Sequence, residues 1–326
     1  ALLPHTRQVA IMENGDLAIL RPDRIEVFGR NGAPKQPQLT TLDMEPETAE
    51  LGGYRHFMEK EIFEQPEALR NAMRGRLGPG PDGALLPEVG RVVGDAAQLS
   101  AVHLIACGTA YHAGLVGKSL IEQLARIPAT VDVASEFRYR DPIIDPSDLL
   151  IAISQSGETS DTLGALREGQ RKGARSLGVV NVVGSSVARE TDAVLYTMAG
   201  PEIAVASTKA YTTQIVVLTL VALELARLRG TVTPPRLAEM TAELARLPGL
   251  VERALASSAV VEEFAAQIVA RRDAFFIGRG LDYALCLEGQ LKLKEISYMH
   301  AEAYPAGELK HGTLALIEDG VPVVAL

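Results

Sequence analysis

The sequence of 326 residues predicts an α/β fold made of tandem, doubly wound lobes with mostly parallel sheets. Strand and helix patterns alternate from Val102 to Tyr196, which is typical of a doubly wound parallel sheet. A strand followed by a glycine-containing turn appears again from Ala274, so a second lobe of the same kind is expected. Short strand patterns come before both lobes and predict a separate β-rich segment.

Residues 1–46 are expected to form this β-rich segment and a linker. Its predicted strands are Gln8–Met12, Leu17–Leu20 and Arg24–Phe28. The Asn-Gly pair between the first two favours a hairpin. Three short strands bury too little apolar surface to stand alone, so the segment is interpreted as the tail of a larger domain. Residues 31–46, rich in Pro, Gln and Thr, are interpreted as the linker.

The remaining chain is divided into three parts. The first lobe, with a leading charged helix within Tyr54–Arg76, is expected over residues 47–230. Connecting helices are expected over 231–272, and the start of the second lobe over 273–326. The two long helices predicted around the junction between the lobes are Ile215–Arg229 and Pro235–Ala270.

The second lobe is predicted from a weak internal repeat. Leu104–Cys107 resembles Phe275–Ile277, and Ala134–Phe137 resembles His300–Ala303. The third matched pair is Leu149–Ile153 with Val321–Ala325. In this alignment the second copy stops where its own polar loop would begin, so a truncated second lobe is expected. Chance similarity between two strand-turn-helix starts is the alternative.

The strongest local signal is a buried strand that leads into a hydroxyl-rich loop. Leu149–Ile153 is apolar throughout, and Ser154–Thr159 follows it directly. Open α/β sheets bind ligands at the carboxyl ends of their strands. A helix that begins after the loop offers free N–H groups to an anion, and Ser154, Ser156 and Thr159 add hydroxyl donors. The pattern predicts a phosphate-binding loop without the lysine of a Walker A sequence.

Helix capping is the simpler explanation of an isolated Ser/Thr turn. Two serines, a glutamine, a glycine and a threonine within six positions are more than one N-cap needs. A second hydroxyl cluster, Ser207–Gln214, also favours a binding site.

Composition excludes several other classes of protein. The formal net charge of -9 disfavours a nucleic-acid surface. Cys107 and Cys286 are far apart and predict neither a disulfide framework nor a metal site, so a cytoplasmic location fits and no cofactor or metal is expected. The apolar run Ile215–Leu223 is too short for a membrane span and is interpreted as a buried helix. No Gly-x-Gly-x-x-Gly fingerprint follows the strand at Leu104, which disfavours a dinucleotide-binding enzyme.

A charged helical segment near the C-terminal end contains candidate acid-base residues. Glu288, Lys292 and Glu295 have the three-and-four spacing that puts them on one face of a helix. A solvated charged face would have the same pattern, and His311 by itself would be an ordinary loop histidine.

Motifs spread over nearly the whole chain resemble the glutamine:fructose-6-phosphate amidotransferases, also called glucosamine-6-phosphate synthases. The motifs that carry the resemblance are Cys107–Tyr111, Ser135–Tyr139, Ser154–Thr159, Val205–Lys209, Leu291–Glu295, Glu302–Tyr304 and Gly307–Gly312. The resemblance implies two sugar isomerase lobes, the second truncated, behind a β-rich remnant of an N-terminal glutaminase domain in residues 1–46.

The resemblance also implies the substrate and the roles of individual residues. Fructose 6-phosphate is expected to be converted, with ammonia from glutamine, to glucosamine 6-phosphate by a homodimer. The catalytic residues would be Glu295 as the base, Lys292 as support for the reacting sugar, and His311, which helps to open the ring from the partner subunit. The substrate-binding residues would be Thr109, Ala110, Ser154, Gln155, Ser156, Thr159, Val205 and Ser207.

Two departures from the family pattern limit what the chain is expected to do alone. Residue 1 is Ala1, where the glutaminase of the family begins with a catalytic cysteine, and the chain ends at Leu326, before the family's C-terminal lysine. We therefore interpret the sequence as a fragment with impaired activity and low stability. Two alternatives stay open: a catalytically silent sugar-phosphate sensor, and a sugar-phosphate isomerase or deaminase that does not use glutamine.

Overall fold

The computed structural model describes residues 6–13, 15–41, 50–78 and 85–326. The chain divides into two compact units, Ala1–Tyr54 and Arg55–Leu326. The boundary lies eight residues beyond the predicted end of the β-rich segment, so the predicted lobes belong to the second unit except for residues 47–54.

Four short strands lie within the described residues of the first unit. They are β1 (Gln8–Ala10), β2 (Leu17–Leu20), β3 (Ile25–Phe28) and β4 (Leu39–Thr41). The predicted hairpin between the first two strands is wrong, because β1 pairs antiparallel with β4 and β2 pairs with β3. The link between β2 and β3 closes through Arg21 N–H, which donates to Arg24 O at 2.9 Å. The predicted linker therefore contributes a strand; Asn14 and residues 42–49 lie outside the described residues.

The second unit begins with three helices. They are α1 (Phe57–Phe63), α2 (Gln65–Met73) and α3 (Pro87–Val93). The single charged helix predicted over Tyr54–Arg76 is therefore two helices. Pro66 occupies the first turn of α2, where its missing N–H costs no hydrogen bond.

A parallel sheet of five strands forms the first lobe. Its strands are β5 (Val102–Ala106), β6 (Ala129–Val133), β7 (Leu149–Ser154), β8 (Arg175–Val180) and β9 (Ala193–Tyr196). Their spatial order is β6-β5-β7-β8-β9, and every pair is parallel. The helices that connect them are α4 (Thr109–Leu120, continued by a π-helical turn to Ala125), α5 (Ala134–Phe137), α6 (Ser160–Arg171) and α7 (Ser186–Glu190).

Both faces of this sheet are covered, which explains why its strands are continuously apolar. Leu104 and Ile151 pack into one buried cluster with the long helix α8 (Lys209–Arg229). Ile105 and Leu150 point to the other face and pack with residues of α5, α6 and α7. The prediction of a doubly wound sheet is confirmed.

Helix α8 starts six residues earlier than predicted. Its length and composition would allow it to cross a membrane, but 72% of its most apolar window is buried within the protein. Even Glu224 is fully buried, where it accepts a hydrogen bond from Leu85 N–H at 2.9 Å and pairs with Arg227 at 2.7 Å. The helix is the centre of the core, as predicted for a buried helix.

The connecting region is more broken than predicted. Three helices, α9 (Pro234–Ala245), α10 (Leu247–Leu255) and α11 (Ser258–Ile268), replace the single predicted helix. Pro248 lies in the first turn of α10 and cannot continue the hydrogen bonds of α9, which explains the first break.

The second lobe repeats the start of the first. Its strands are β10 (Asp273–Gly278), β11 (His300–Pro305) and β12 (Val323–Ala325), with α12 (Leu281–Ser297) after β10. The parallel order β11-β10-β12 corresponds to β6-β5-β7. Gly108 and Gly280, which precede α4 and α12, have nearly the same positive φ of 55° and 56°.

The predicted match between Ala134–Phe137 and His300–Ala303 is wrong. The first segment is helix α5, whereas the second is part of strand β11. Since β11 pairs with β10 as β6 pairs with β5, the equivalent of β11 is β6, one element earlier.

Candidate functional site

A cavity of about 220 Å³ lies at the carboxyl ends of β5 and β7. Larger cavities exist, including a groove of about 830 Å³ beside α9, but its described lining is mostly apolar. Ten of the eleven predicted site residues line the smaller cavity. They are Thr109, Ala110, Ser154, Gln155, Ser156, Thr159, Val205, Ser207, Lys292 and Glu295.

The loop after β7 forms one wall of the cavity. Ser154 Oγ lies 3.0 Å from Thr159 Oγ1 and accepts a hydrogen bond from Gly157 N–H at 3.0 Å. Thr159 is the N-cap residue of α6, yet its side chain makes no capping hydrogen bond. The hydroxyl groups therefore bond to the loop, and capping does not account for them. The N-terminus of α6 and these hydroxyls could bind an anion.

Gly157 is needed for the shape of this loop. Its φ is +65°, and a Cβ at this position would lie 2.1 Å from Ser185 Oγ. Glu158 holds the loop from outside by accepting hydrogen bonds from both the N–H and the hydroxyl of Ser186, each at 2.7 Å. The loop is thus fixed against the start of α7 before any ligand binds.

A second loop, ahead of α8, forms another wall. Glu202 accepts hydrogen bonds from Ser207 Oγ at 2.7 Å and from Thr208 N–H at 2.9 Å. The buried Glu61 of α1 accepts from Ile203 N–H at 2.6 Å, and burial raises the pKa of this carboxyl. The side chain of Val205 is 98% exposed, so this residue borders the cavity without packing around it.

Helix α12 of the second lobe supplies the charged wall. Lys292 Nζ lies 2.5 Å from Glu295 Oε2 and 3.5 Å from Glu288 Oε1, so the predicted shared face is confirmed. Glu288 is only 5% exposed. It accepts hydrogen bonds from Thr109 Oγ1 at 2.9 Å and from His112 Nδ1 at 2.7 Å. A solvated charged face is excluded, because this cluster joins the helices α4 and α12 of the two lobes.

His311 is the predicted residue that the cavity does not include. It lies in the turns after β11, where its N–H donates to Glu308 O at 2.9 Å. Its side chain is exposed.

Several residues in or beside the cavity were missed by the sequence analysis. Two of them, Cys107 and Thr162, line the cavity. Cys107 begins the motif Cys107–Tyr111 and Thr162 lies three residues after Ser154–Thr159, so both could have been proposed from their place beside these motifs. The sequence around His112, which supports the charged wall, does not indicate its role, because its partner Glu288 is 176 residues away. Among the residues that the structure describes, no group of three His, Cys, Asp or Glu side chains is placed to hold a metal ion.

Comparison with known proteins identifies the family. The model described as "SIS domain" matches residues 98–224 and 267–326. The chain is 57% identical over its full length to glutamine–fructose-6-phosphate aminotransferase (isomerizing) of Symbiobacterium thermophilum, of which it covers 54%. An enzyme of the same name from Thermus thermophilus is 50% identical and is covered over 53% of its length. The chain spans about half the length of these curated relatives.

Solved structures agree with this result. The C-terminal domain of glucosamine-fructose-6-phosphate aminotransferase from Francisella tularensis matches with a TM-score of 0.81 and 43% identity, over 85% of this chain and 77% of that one. Tagatose-6-phosphate ketose/aldose isomerase from Escherichia coli shares the fold, with a TM-score of 0.64 and 15% identity over 83% of this chain and 72% of that one. The chain therefore belongs to the SIS domain family and, within it, to the group that contains the C-terminal part of the glutamine–fructose-6-phosphate aminotransferases.

Proposed function

We propose that the chain binds fructose 6-phosphate and carries the isomerase part of its conversion to glucosamine 6-phosphate. One observation carries the proposal: a single cavity joins an anion-binding loop of the first lobe to a lysine-glutamate pair of the second. The names of its relatives supply the substrate and the glutamine that would provide ammonia.

The loop from Ser154 to Thr159 would bind the phosphate group. Phosphate oxygens accept hydrogen bonds, and this loop offers hydroxyl groups next to the N-terminus of α6. Neutral donors at the phosphate leave Lys292 for the other end of the sugar. Thr109, Ala110, Val205 and Ser207 would line the substrate between these two ends.

Glu295 would be the base of the isomerisation. Its carboxylate takes the proton from carbon 1 of the open-chain sugar, and that C–H electron pair forms the C1=C2 double bond of an enediol while the oxygen on carbon 2 gains a proton. The proton then returns to carbon 2, and the hydroxyl on carbon 1 loses its proton to become the aldehyde. Lys292 Nζ, 2.5 Å from Glu295, would donate hydrogen bonds to the two sugar oxygens.

The remaining parts of the proposal are a homodimer in the cytoplasm and a role for His311 from the partner subunit. His311 does not line the cavity of its own chain, which fits a role in the neighbouring site. Mixing a His311→Ala chain with a Glu295→Gln chain tests this arrangement. Mixed dimers would contain one site with both functional residues, so partial recovery of activity supports the proposal, and no recovery contradicts it.

Calorimetric titration with fructose 6-phosphate is the first test, with fructose and inorganic phosphate as controls. Thr159→Ala should weaken binding of both phosphate-containing ligands, because it removes a hydroxyl from the loop. Thr219→Ala is a matched control, since that hydroxyl bonds to Ile215 O within α8 and does not line the cavity. Equal affinities for fructose and fructose 6-phosphate would contradict the phosphate site.

Glu295→Gln separates binding from turnover. We expect it to keep the affinity for fructose 6-phosphate and to abolish conversion to glucose 6-phosphate, since an amide cannot take the proton. If a chain extended to the full length of its relatives binds the sugar phosphate and never turns it over in either the presence or absence of ammonia, the sugar-phosphate sensor becomes the better explanation.

A further inference from the structure

Gln214 has an unusual environment in the wall of the candidate site. The residue lies in the second turn of α8, lines the cavity and is only 1% exposed. Its Oε1 atom is buried and has no hydrogen-bond partner among the described residues. Two neighbouring hydroxyls on the same helix are satisfied, since Thr213 Oγ1 donates to Lys209 O at 2.9 Å and Thr212 Oγ1 donates to the same carbonyl at 3.1 Å. The hydroxyl of Tyr211 is also buried without a partner among the described residues, but Tyr211 does not line the cavity.

A buried amide without a partner is costly. Leaving such a group unsatisfied destabilises a protein, whereas an apolar side chain of the same shape carries no such penalty. Most buried polar groups in folded proteins therefore have a partner. A glutamine in the wall of a ligand cavity that lacks one is accounted for if the ligand provides it.

The chemistry of the amide indicates which part of the ligand it contacts. An amide has both donor and acceptor atoms, and a rotation of the terminal group presents either one. Sugar hydroxyls also donate and accept, whereas a fully ionised phosphate only accepts. The donors for the phosphate are already present in the loop from Ser154 to Thr159.

We propose that Gln214 is a specificity-determining residue that hydrogen-bonds a hydroxyl of the sugar chain. This inference rests on the proposed function. Gln214 would make the cavity favour a polyhydroxylated sugar phosphate over a phosphate without that hydroxyl. Sites built to hydrogen-bond a substrate hydroxyl reject analogues that lack it, because the polar group of the protein is then left unpaired.

Gln214→Met tests the inference, since methionine has a similar length and no strong hydrogen-bonding group. We expect the affinity for fructose 6-phosphate to fall about tenfold, which corresponds to one hydrogen bond of roughly 1.4 kcal/mol. The affinity for inorganic phosphate should not change. Thermal unfolding of the ligand-free variant should occur at the same or a higher temperature, because an unpaired polar group has been removed.

Gln170→Met is the matched control. Gln170 Nε2 donates to Ser176 Oγ at 3.0 Å and to Glu190 O at 2.6 Å, and Gln170 is not part of the cavity wall. This variant should lower the unfolding temperature and leave both affinities unchanged. A second measurement uses fructose 6-phosphate analogues that each lack one hydroxyl. One analogue should bind the unchanged chain about tenfold more weakly, and Gln214→Met should not distinguish it from fructose 6-phosphate.

The outcomes separate this inference from the proposed function. If Gln214→Met binds fructose 6-phosphate like the unchanged chain, or if it weakens inorganic phosphate equally, the role of Gln214 is overturned while the proposed function stands. If the unchanged chain binds neither ligand, the proposed function fails and the inference fails with it. Should Gln214→Met not fold, the analogue series on the unchanged chain decides.

Discussion

Replacement of Glu288 by leucine should destabilise the second unit strongly. Glu288 is 5% exposed and has three partners: Thr109 Oγ1 at 2.9 Å, His112 Nδ1 at 2.7 Å and Lys292 Nζ at 3.5 Å. Glu288→Leu would leave the imidazole of His112 and the ammonium of Lys292 without this acceptor. The side chains of these two residues are only 11% and 17% exposed, so water could replace the carboxylate only in part.

Removing one partner from a buried ion pair costs about 3–5 kcal/mol, most of it from the charge that is left behind. Lys292 keeps Glu295 as a partner at 2.5 Å, so we expect a loss of about 3 kcal/mol, at the lower end of this range. In a domain of 150–250 residues, each kcal/mol lowers the melting temperature by about 2–4 °C, so a decrease of roughly 10 °C is expected. Glu288→Gln keeps an acceptor and should cost less, about 1–2 kcal/mol.

The assay is thermal and urea-induced unfolding of Glu288→Leu beside Glu243→Leu. The control removes a carboxylate from an exposed pair, since Glu243 and Arg246 are 2.8 Å apart and both side chains are 63% exposed. Such a pair contributes about 0–1 kcal/mol. A double variant, Glu288→Leu with His112→Leu, should recover part of the loss because the orphaned imidazole is gone. Equal melting temperatures for Glu288→Leu and Glu243→Leu would refute the reasoning.

Three further predictions concern the loops around the cavity. Gly157→Ala should destabilise the chain and weaken binding of inorganic phosphate, because its Cβ would lie 2.1 Å from Ser185 Oγ in a backbone with positive φ; calorimetry with phosphate checks it. Burial raises the pKa of Glu61 in the folded chain, so the folded chain binds this proton more tightly than the unfolded chain does. The free energy of unfolding therefore decreases as the pH rises through the folded-state pKa and the carboxyl loses its proton. Glu61→Gln, which keeps an acceptor for the two backbone N–H groups, should therefore gain stability relative to the unchanged chain in urea unfolding as pH rises above the ordinary pKa of a glutamate, and a relative loss would contradict it. Glu202→Ala should lower the affinity for fructose 6-phosphate, because Ser207 loses its 2.7 Å partner; an unchanged titration curve would count against this.

The parts of the fold that depend on local patterns were predictable from sequence. Strand β7 is apolar from Leu149 to Ile153 because both faces of the sheet are covered, and the polar loop begins at the last residue of the strand, the buried Ser154. The spacing of Glu288, Lys292 and Glu295 follows from the geometry of one helix, which the structure contains as α12. Because both features are visible in local sequence patterns, the loop after β7 and the charged helix α12 could each be proposed as part of a site.

The partners of these elements could not be predicted, because they depend on contacts between distant segments. Strand β1 pairs with residues 39–41 and not with its sequence neighbour, although the Asn-Gly pair favoured the neighbour. His112 carries no local sign of its bond to Glu288. The cluster Ser207–Gln214 favoured a binding site, but the sequence did not show which of its residues line the cavity. The predicted match of His300–Ala303 with Ala134–Phe137 is also wrong, because the two similar sequences form a strand and a helix, respectively.

The repeat explains why one cavity contains two kinds of chemistry. Both copies build a strand, a glycine with φ near +55° and a helix, yet the helix starts differ: Thr109 opens α4 and Leu281 opens α12. The first copy therefore has a hydroxyl near the loop from Ser154 to Thr159, whereas α12 carries Lys292 and Glu295 about three turns further along. Packing of α12 against α4, fixed by Glu288, brings that later part of the helix to the first copy's loop. In the proposed function, phosphate binding and proton transfer would thus be separated between the copies, and the buried carboxylate of Glu288 that joins them would determine whether they act on one ligand.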